Sequence, residues 1–407
     1  MRRITLILVA VLIPVIALSH GKTKHWEHVG DRHIVFPDLA DRLTLTVDLH
    51  THSVFSDGHV WPRTRAEEAL MDGLDAIAIT EHLEWQPHRV DLPNPDLNRA
   101  YEIARDAAVD EDLMVIPGVE ITRRDPYGHI NAVFIQDANA MIKVTPEDRA
   151  LEDASAFWDA AERWPAEEAL AAANEQGAFT FWNHPSYTGL PEGVPKITEF
   201  IRSSIDNGQI QGIEVVNGQW YSEQSFQIAL DNDLTLIGTS DIHELIDWDY
   251  MPYHGGHRPV TLVFTEERSQ ASMKQALVEK RTAIYYNDML IARPREMGPL
   301  LDASLTVESA EYRDGNNIAT ITFRNHSELP FLLENRSALT FQFNADLVEI
   351  PPHSDFELHV TMIDRPDTVS LAFNVLNALV EPKKAAVLRY TLDLDNVVLP
   401  GNDEDES

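Results

Sequence analysis

Two histidines spaced i, i+2 close the apolar run Leu43 to Val47 in the stretch Asp48-Leu-His-Thr-His52, with Ser56-Asp57-Gly58 just behind them. On a strand, positions i and i+2 face the same side, so both imidazoles can reach one cation where the strand ends. Comparable side chains recur at one kind of place along the chain. His82 follows Ala76-Ile-Ala-Ile-Thr80, Glu120 ends Met114-Val-Ile-Pro-Gly-Val119, His184 follows Phe179-Thr-Phe-Trp-Asn183, and Asp241 and His243 follow Leu236-Ile-Gly-Thr-Ser240. His129 departs from the rule because it precedes its apolar run, Ile130 to Ile135; a short hairpin after Glu120 would return it to the same rim. One such residue alone is ordinarily a cap or a core-edge group. Recurrence at five strand ends points to a metal centre with mixed nitrogen and oxygen ligands.

The elements that must position these residues are legible as alternation. Apolar, β-branched runs over 44–49, 75–79, 113–119, 130–135, 178–182, 212–216, 234–239 and 260–264 alternate with helical periodicity over Pro62 to Asp72, Asp96 to Val109, Pro165 to Gln176 and Ser222 to Leu230. Gly73 and Gly177 sit where C-terminal caps belong. This pattern predicts an α/β domain with a largely parallel sheet, whose strand ends share one rim where active sites gather. After Pro294 the pattern changes. Leu305 to Tyr312, Ile318 to Arg324, Thr340 to Phe343, Glu357 to Met362, Thr368 to Phe373 and Ala386 to Leu392 read as short strands of an all-β sandwich. The expected organisation is a leader at 1–19, a metal-binding domain at 40–294, a β domain at 300–396 and an acidic tail at 397–407. Pro294 is read as a linker, with the first domain expected to keep every ligand without the second.

The order His-x-His, Asp-Gly, Thr-Glu-His, Gly-Val-Glu, Gly-His-Ile-Asn, Asn-His-Pro, Ser-Asp-Ile-His resembles the polymerase and histidinol phosphatase (PHP) family over about residues 44 to 290, with all nine of the family's ligand positions filled by suitable residues. The resemblance implies a distorted (β/α)7 barrel holding two or three metal ions, of the Zn, Mn or Fe kind. It places the first metal on His50, His52, Glu120 and Asp241, and the second on Asp57, His82 and His243. The third falls to Glu120, His129 and His184, with Glu120 bridging. Asp57 stands where some members have His. The implied chemistry is hydrolysis of a phosphoester, most simply a phosphomonoester, by water activated on the metals that His50, His52, Glu120 and Asp241 hold. The alternatives are a phosphodiesterase or nuclease with the same metals, and a binding protein whose metals are structural. Complete ligation without cysteine speaks against the last.

Composition narrows the classes further. There is no cysteine, no Gly-x-Ser-x-Gly elbow and no P-loop, so neither a thiol nucleophile nor that type of triphosphate site is present. The formal charge of −34 disfavours nucleic acid as partner and suits a small phosphorylated substrate only if bound cations invert the local potential. Met-Arg-Arg followed by the apolar run Ile4 to Leu18 reads as a signal peptide, which predicts export to a periplasmic or extracellular space and no membrane association after cleavage. The oligomeric state is left open. Arg123, three residues after Glu120, and His254, His257 and Arg258 in Tyr253-His-Gly-Gly-His-Arg258 are the candidate substrate contacts. Tyr187, Asn217 and Trp220 are candidate walls.

Overall fold

The computed structural model describes residues 32–93, 96–186, 194–312 and 316–396; the apolar leader, Tyr187 and the acidic tail lie outside the described residues. The first eleven strands are β1 (Leu43–Asp48), β2 (Ala76–Ile79), β3 (Met114–Thr122), β4 (His129–Val133), β5 (Phe179–Trp182), β6 (Gly212–Asn217), β7 (Trp220–Tyr221), β8 (Thr235–Thr239), β9 (Val260–Thr265), β10 (Thr282–Tyr286) and β11 (Met289–Ala292). All eight runs expected from the sequence are strands. They are buried on both faces, as strands sandwiched between a barrel interior and surrounding helices must be.

Hydrogen-bonded neighbours run β1–β2–β3–β4–β5–β6–β8. The ring closes through a parallel bridge between Thr51 and Ile242, where His52 N donates to the Ile242 carbonyl at 3.1 Å and Asp241 N to the His50 carbonyl at 3.0 Å. Seven strands therefore form the barrel. It is distorted because β4 returns antiparallel between β3 and β5, the hairpin that His129 requires. β9 runs antiparallel to β1 on the outside of the ring and leads to the antiparallel β10 and β11.

Helices pack around this wall: Pro62–Met71 starts with proline in its first turn, and Glu223–Asp231 starts from Ser222, whose hydroxyl accepts from Ser225 N. Gly73 and Gly177 follow helix ends with φ of 68° and 72°, the left-handed region where a side chain is strained.

The second region contains β12 (Leu305–Tyr312), β13 (Ile318–Asn325), β14 (Phe331–Asn335), β15 (Thr340–Phe341), β16 (Leu347–Ile350), β17 (Asp355–Thr361), β18 (Thr368–Glu381), β19 (Lys384–Asp393) and β20 (Asp395–Asn396). One sheet runs β15–β17–β13–β12–β20, and β16–β14–β18–β19 face it across a core in which the Phe323 and Phe373 rings meet edge-on at 6.5 Å. Two features correct the expected division. Pro294 does not mark a linker: it opens a helix, Pro294–Ser304, where its missing N–H would have been unpaired anyway. β18 also joins the sheet that β9, β10 and β11 extend from β1, by pairing parallel with β11, Leu290 opposite Ala378 and Ile291 opposite Leu379. One buried cluster runs from Leu262, Phe264 and Leu290 through Met297 and Leu300 to Leu371 and Val375, so the two regions share a sheet and a core.

Candidate metal centre

β1 delivers His50 and His52 fully buried, with their Nε2 atoms 3.0 Å apart. Asp241, in the turn after β8, places Oδ1 3.1 Å from each of them. Glu120 on β3 places Oε2 3.6 Å from the first and 3.4 Å from the second. Ligand atoms held at zinc–nitrogen and zinc–oxygen bond lengths in a tetrahedron stand about 3.3 Å from one another, close to the spacing of the two imidazole nitrogens with Asp241 Oδ1 on the one hand and with Glu120 Oε2 on the other. Glu120 Oε2 is buried with no well-aligned hydrogen bond: His82 Nδ1, which is bonded to Thr122 Oγ1 at 2.6 Å, also lies 2.6 Å from it. A cation would satisfy it.

A second group lies alongside. Asp57 Oδ1 is 3.0 Å from His243 Nε2 and 3.3 Å from His82 Nε2, with His52 Nδ1 3.9 Å away. It too is buried without a hydrogen bond. The other oxygen of Glu120, Oε1, is 2.8 Å from His129 Nδ1 and 3.4 Å from His184 Nε2, and accepts from Asn183 at 3.1 Å. Glu120 thus offers one oxygen to each side of the cluster. Ligand atoms close enough to share one ion are grouped as His50, His52 and Glu120; as His52, Asp57, His82 and His243; and as His82, Glu120 and His129. His184 and Asp241 border these groups. All nine residues singled out in the sequence are brought together.

The electrostatics are those of buried imidazoles and carboxylates packed against one another. Burial works against a charged His50, but Asp241 and Glu214 outweigh it and raise its pKa well above the ordinary value. Burial, with His82 and His243 alongside, pushes His52 down to about 3. Against the same burial, His82 and His129 hold Glu120 well below the usual carboxylate range. The backbone is also constrained: His184 and Asp241 have φ of 25° and 49°. Such conformations cost on the order of 1–3 kcal/mol and persist where the surroundings fix them. Here His184 N donates to Glu214 Oε2 at 2.6 Å, and Asp241 N is held by His50.

Glu214 is the functional residue that the sequence reading missed. It lies in the middle of β6, fully buried, with Oε1 2.7 Å from His50 Nδ1 and accepting from Thr239 Oγ1, while Oε2 accepts from His184 N and Asn217. A carboxylate on Nδ1 fixes the imidazole with its proton there, so that the Nε2 lone pair faces the cluster. An acidic residue inside the apolar run Gly212-Ile-Glu-Val-Val was the available signal. Asn217, expected as a wall, also donates to Asp241 Oδ2 at 3.1 Å and so orients that carboxylate. Glu81 holds the loop behind His52, taking hydrogen bonds from Ser53 and Ser56.

Three of the four candidate substrate contacts are corrected. Arg123 is buried, paired with Glu84 at 2.8 Å and donating to the Trp164 carbonyl; three residues along an extended chain from Glu120, it faces the opposite way. Arg258 is buried between Asp72 at 2.6 Å and Asp48 at 3.3 Å, and Asp48 in turn accepts from Ser240. It fastens β1 to the turn bearing Asp241. His257 stacks on Tyr285 at 4.1 Å and spends Nδ1 on the Arg258 carbonyl. His254 is exposed in the turn Pro252–His254 and, among the described residues, has no contact with the cluster. Trp220 is exposed.

Comparison with known proteins places this architecture. A crystal structure of a two-domain protein from Bacteroides vulgatus, containing a predicted PHP-like metal-dependent phosphoesterase, is 34% identical and superposes with a TM-score of 0.77 over 89% of this chain and 98% of that one. The chain belongs to the PHP family. Within that family its second region matches a profile described as an Ig-like domain over residues 305–391. An uncharacterized protein of Methanocaldococcus jannaschii is 35% identical over 81 residues, which are 19% of this chain and 34% of that protein, so the chain spans about a third of that relative. A histidinol phosphate phosphatase from Lactococcus lactis, solved with zinc, L-histidinol and phosphate, is 16% identical over 57% of this chain and 93% of that one, with a TM-score of 0.30.

Proposed function

We propose that the protein is a metal-dependent phosphomonoesterase whose reaction takes place at the nine-residue cluster. The observation that carries this reading is the pair of buried carboxylate oxygens, Glu120 Oε2 and Asp57 Oδ1, each ringed by imidazole nitrogens, those of His50, His52 and His82 about the first and those of His82 and His243 about the second. Bound cations would supply Lewis-acid charge to the phosphoester oxygens and lower the pKa of a water molecule between them.

The chain's own residues do the rest. His50, His52, Glu120 and Asp241 bind at the closed end of the site, and Glu214 and Asn217 orient them. Asp57, His129 and His243 are 23%, 26% and 34% exposed in their side chains, which leaves the approach for substrate on their side. A structural metal site has no need of such an opening. The mixed imidazole and carboxylate ligands suit Zn, Mn or Fe. A net charge of −34 and the burial of Arg123 and Arg258 in structural pairs argue against a polynucleotide substrate.

The test uses His50→Ala and Asp241→Ala with p-nitrophenyl phosphate and bis(p-nitrophenyl) phosphate. Each variant should fold and lose hydrolysis of the monoester, which wild type should prefer. Near wild-type turnover of either variant sinks the proposed site, and preference for the diester favours the phosphodiesterase. We also propose export, on the run Ile4 to Leu18; recovery of uncleaved chain from the cytoplasm would contradict it. Among the described residues no helix is long and apolar enough to cross a membrane.

A further inference from the structure

The loop that leaves His82 leads to a cavity of about 360 Å³, bordered by Gln86, Arg89, Val90, Pro93 and Leu97, the turn after the helix Pro146–Arg149 and the start of the helix Ala154–Ala161. Its walls are mixed, with Val90, Leu97, Ile142, Leu151 and Phe157 supplying the apolar part. Its charged residues are Arg89, Arg149 and Glu152.

Arg89 is half-buried, with its guanidinium carbon 3.6 Å from the centre of the Phe157 ring and Nη2 donating to the Arg149 carbonyl at 2.9 Å. Nη1 is buried with no hydrogen-bond partner. Burial, and then the like charge of Arg149, lower the pKa of Arg89, and no carboxylate offsets them. Other arginines around the barrel have an acid beside them: Arg65 has Glu68, Arg123 has Glu84, Arg258 has Asp72 and Arg281 has Glu279. In a chain with 66 acidic and 32 basic residues, two neighbouring arginines that form no ion pair among the described residues stand out, even with Glu152 on the same cavity wall. Stacking on Phe157 supports one face of the guanidinium but does not satisfy Nη1. An oxyanion would do so and would also offset the repulsion between the two cations.

We propose that this cavity is a binding site for a small amphipathic anion, with its apolar body against Leu97, Ile142, Leu151 and Phe157 and its carboxylate or phosphoryl head between Arg89 and Arg149. The volume falls in the range of small-molecule sites. The inference stands independently of the phosphoesterase reading, because it concerns a separate cavity with its own charge.

The test is calorimetric titration of the whole chain with 1-naphthoate, with phenylphosphonate, which a phosphoesterase cannot cleave, and with neutral 1-naphthalenemethanol. At least one anion should saturate one site per chain, and which one binds identifies the head group; the alcohol should bind at least about tenfold more weakly. Arg149→Ala, at an exposed position, should weaken the anion at least about tenfold, while His50→Ala should leave its affinity unchanged. Arg89→Lys should weaken it less than Arg89→Met. Four results would each overturn the proposal: no saturation by either anion below about 1 mM, equal affinity for the alcohol, affinity unaffected by Arg149→Ala and Arg89→Met, or binding lost in His50→Ala.

Discussion

Glu120 connects the two sides of the cluster through its two oxygens, Oε2 toward His50 and His52 and Oε1 toward His129 and His184. Replacing it by glutamine keeps the size and removes the charge that offsets neighbouring cations, so Glu120→Gln should retain less metal per chain than His129→Ala, which takes a ligand from one group only. Mass-spectrometric metal content decides between them, and an equal or higher value for Glu120→Gln would count against a bridge. Glu214 acts one layer behind. Its glutamine variant can present an N–H to His50 Nδ1 and turn the imidazole over to the tautomer with its proton on Nε2, facing the cluster. Metal affinity should fall about 10- to 100-fold with the fold intact; unchanged affinity in a competition titration would remove Glu214 from the site. Seven of the nine ligand candidates were legible because each sits where an apolar run stops; Asp57, in the loop behind His52, and His129, which precedes its run, were legible from the order of motifs. Glu214 was not, because a lone acid inside a run has no partner visible in the sequence. Arg123 was misread by nearness to Glu120, although the two-residue period of an extended chain already sent it to the other face.

The strand ends fix the ligands, and the turns behind them are tight. Gly58 closes the loop that carries Asp57: a Cβ there would lie 2.7 Å from the His52 carbonyl carbon and 2.8 Å from Ser53 Cα. Gly58→Ala must therefore open the loop and move Asp57. The variant should lose affinity at the group of Asp57, His82 and His243 while His50, His52 and Asp241 keep theirs. Two-step metal titration would show the weaker step shifted alone; two unshifted steps would mean that the loop does not set the second group. At this level the sequence showed most of the barrel, since its strands are continuous β-branched runs. It did not show the hairpin of β10 and β11, nor β14 and β16. Thr282-Ala-Ile-Tyr-Tyr and Met289-Leu-Ile-Ala are short runs close together without the helical spacer that marked the others. Pro294 read as a break because proline both ends elements and opens helices.

The parallel pairing of β11 with β18 and the cluster running through Met297, Leu300 and Leu371 make the Ig-like region part of the sheet that extends from the barrel. Each large apolar side chain uncovered would cost about 1.5–3 kcal/mol, against a total stability on the order of 5–15 kcal/mol. A fragment ending at Arg293 should accordingly aggregate or melt well below the whole chain in size-exclusion and thermal unfolding experiments; a monomeric fragment of unchanged melting temperature would show that the shared core contributes little. The molecule as a whole then presents a barrel whose rim gathers nine candidate ligands and whose outer sheet is completed by a second region. The most direct test of that account is hydrolysis of p-nitrophenyl phosphate by the intact chain, followed through removal of metal with a chelator and its return one ion at a time. Activity should disappear with the metal and come back as at least two equivalents bind per chain. Undiminished turnover in protein shown by elemental analysis to be metal-free would contradict it.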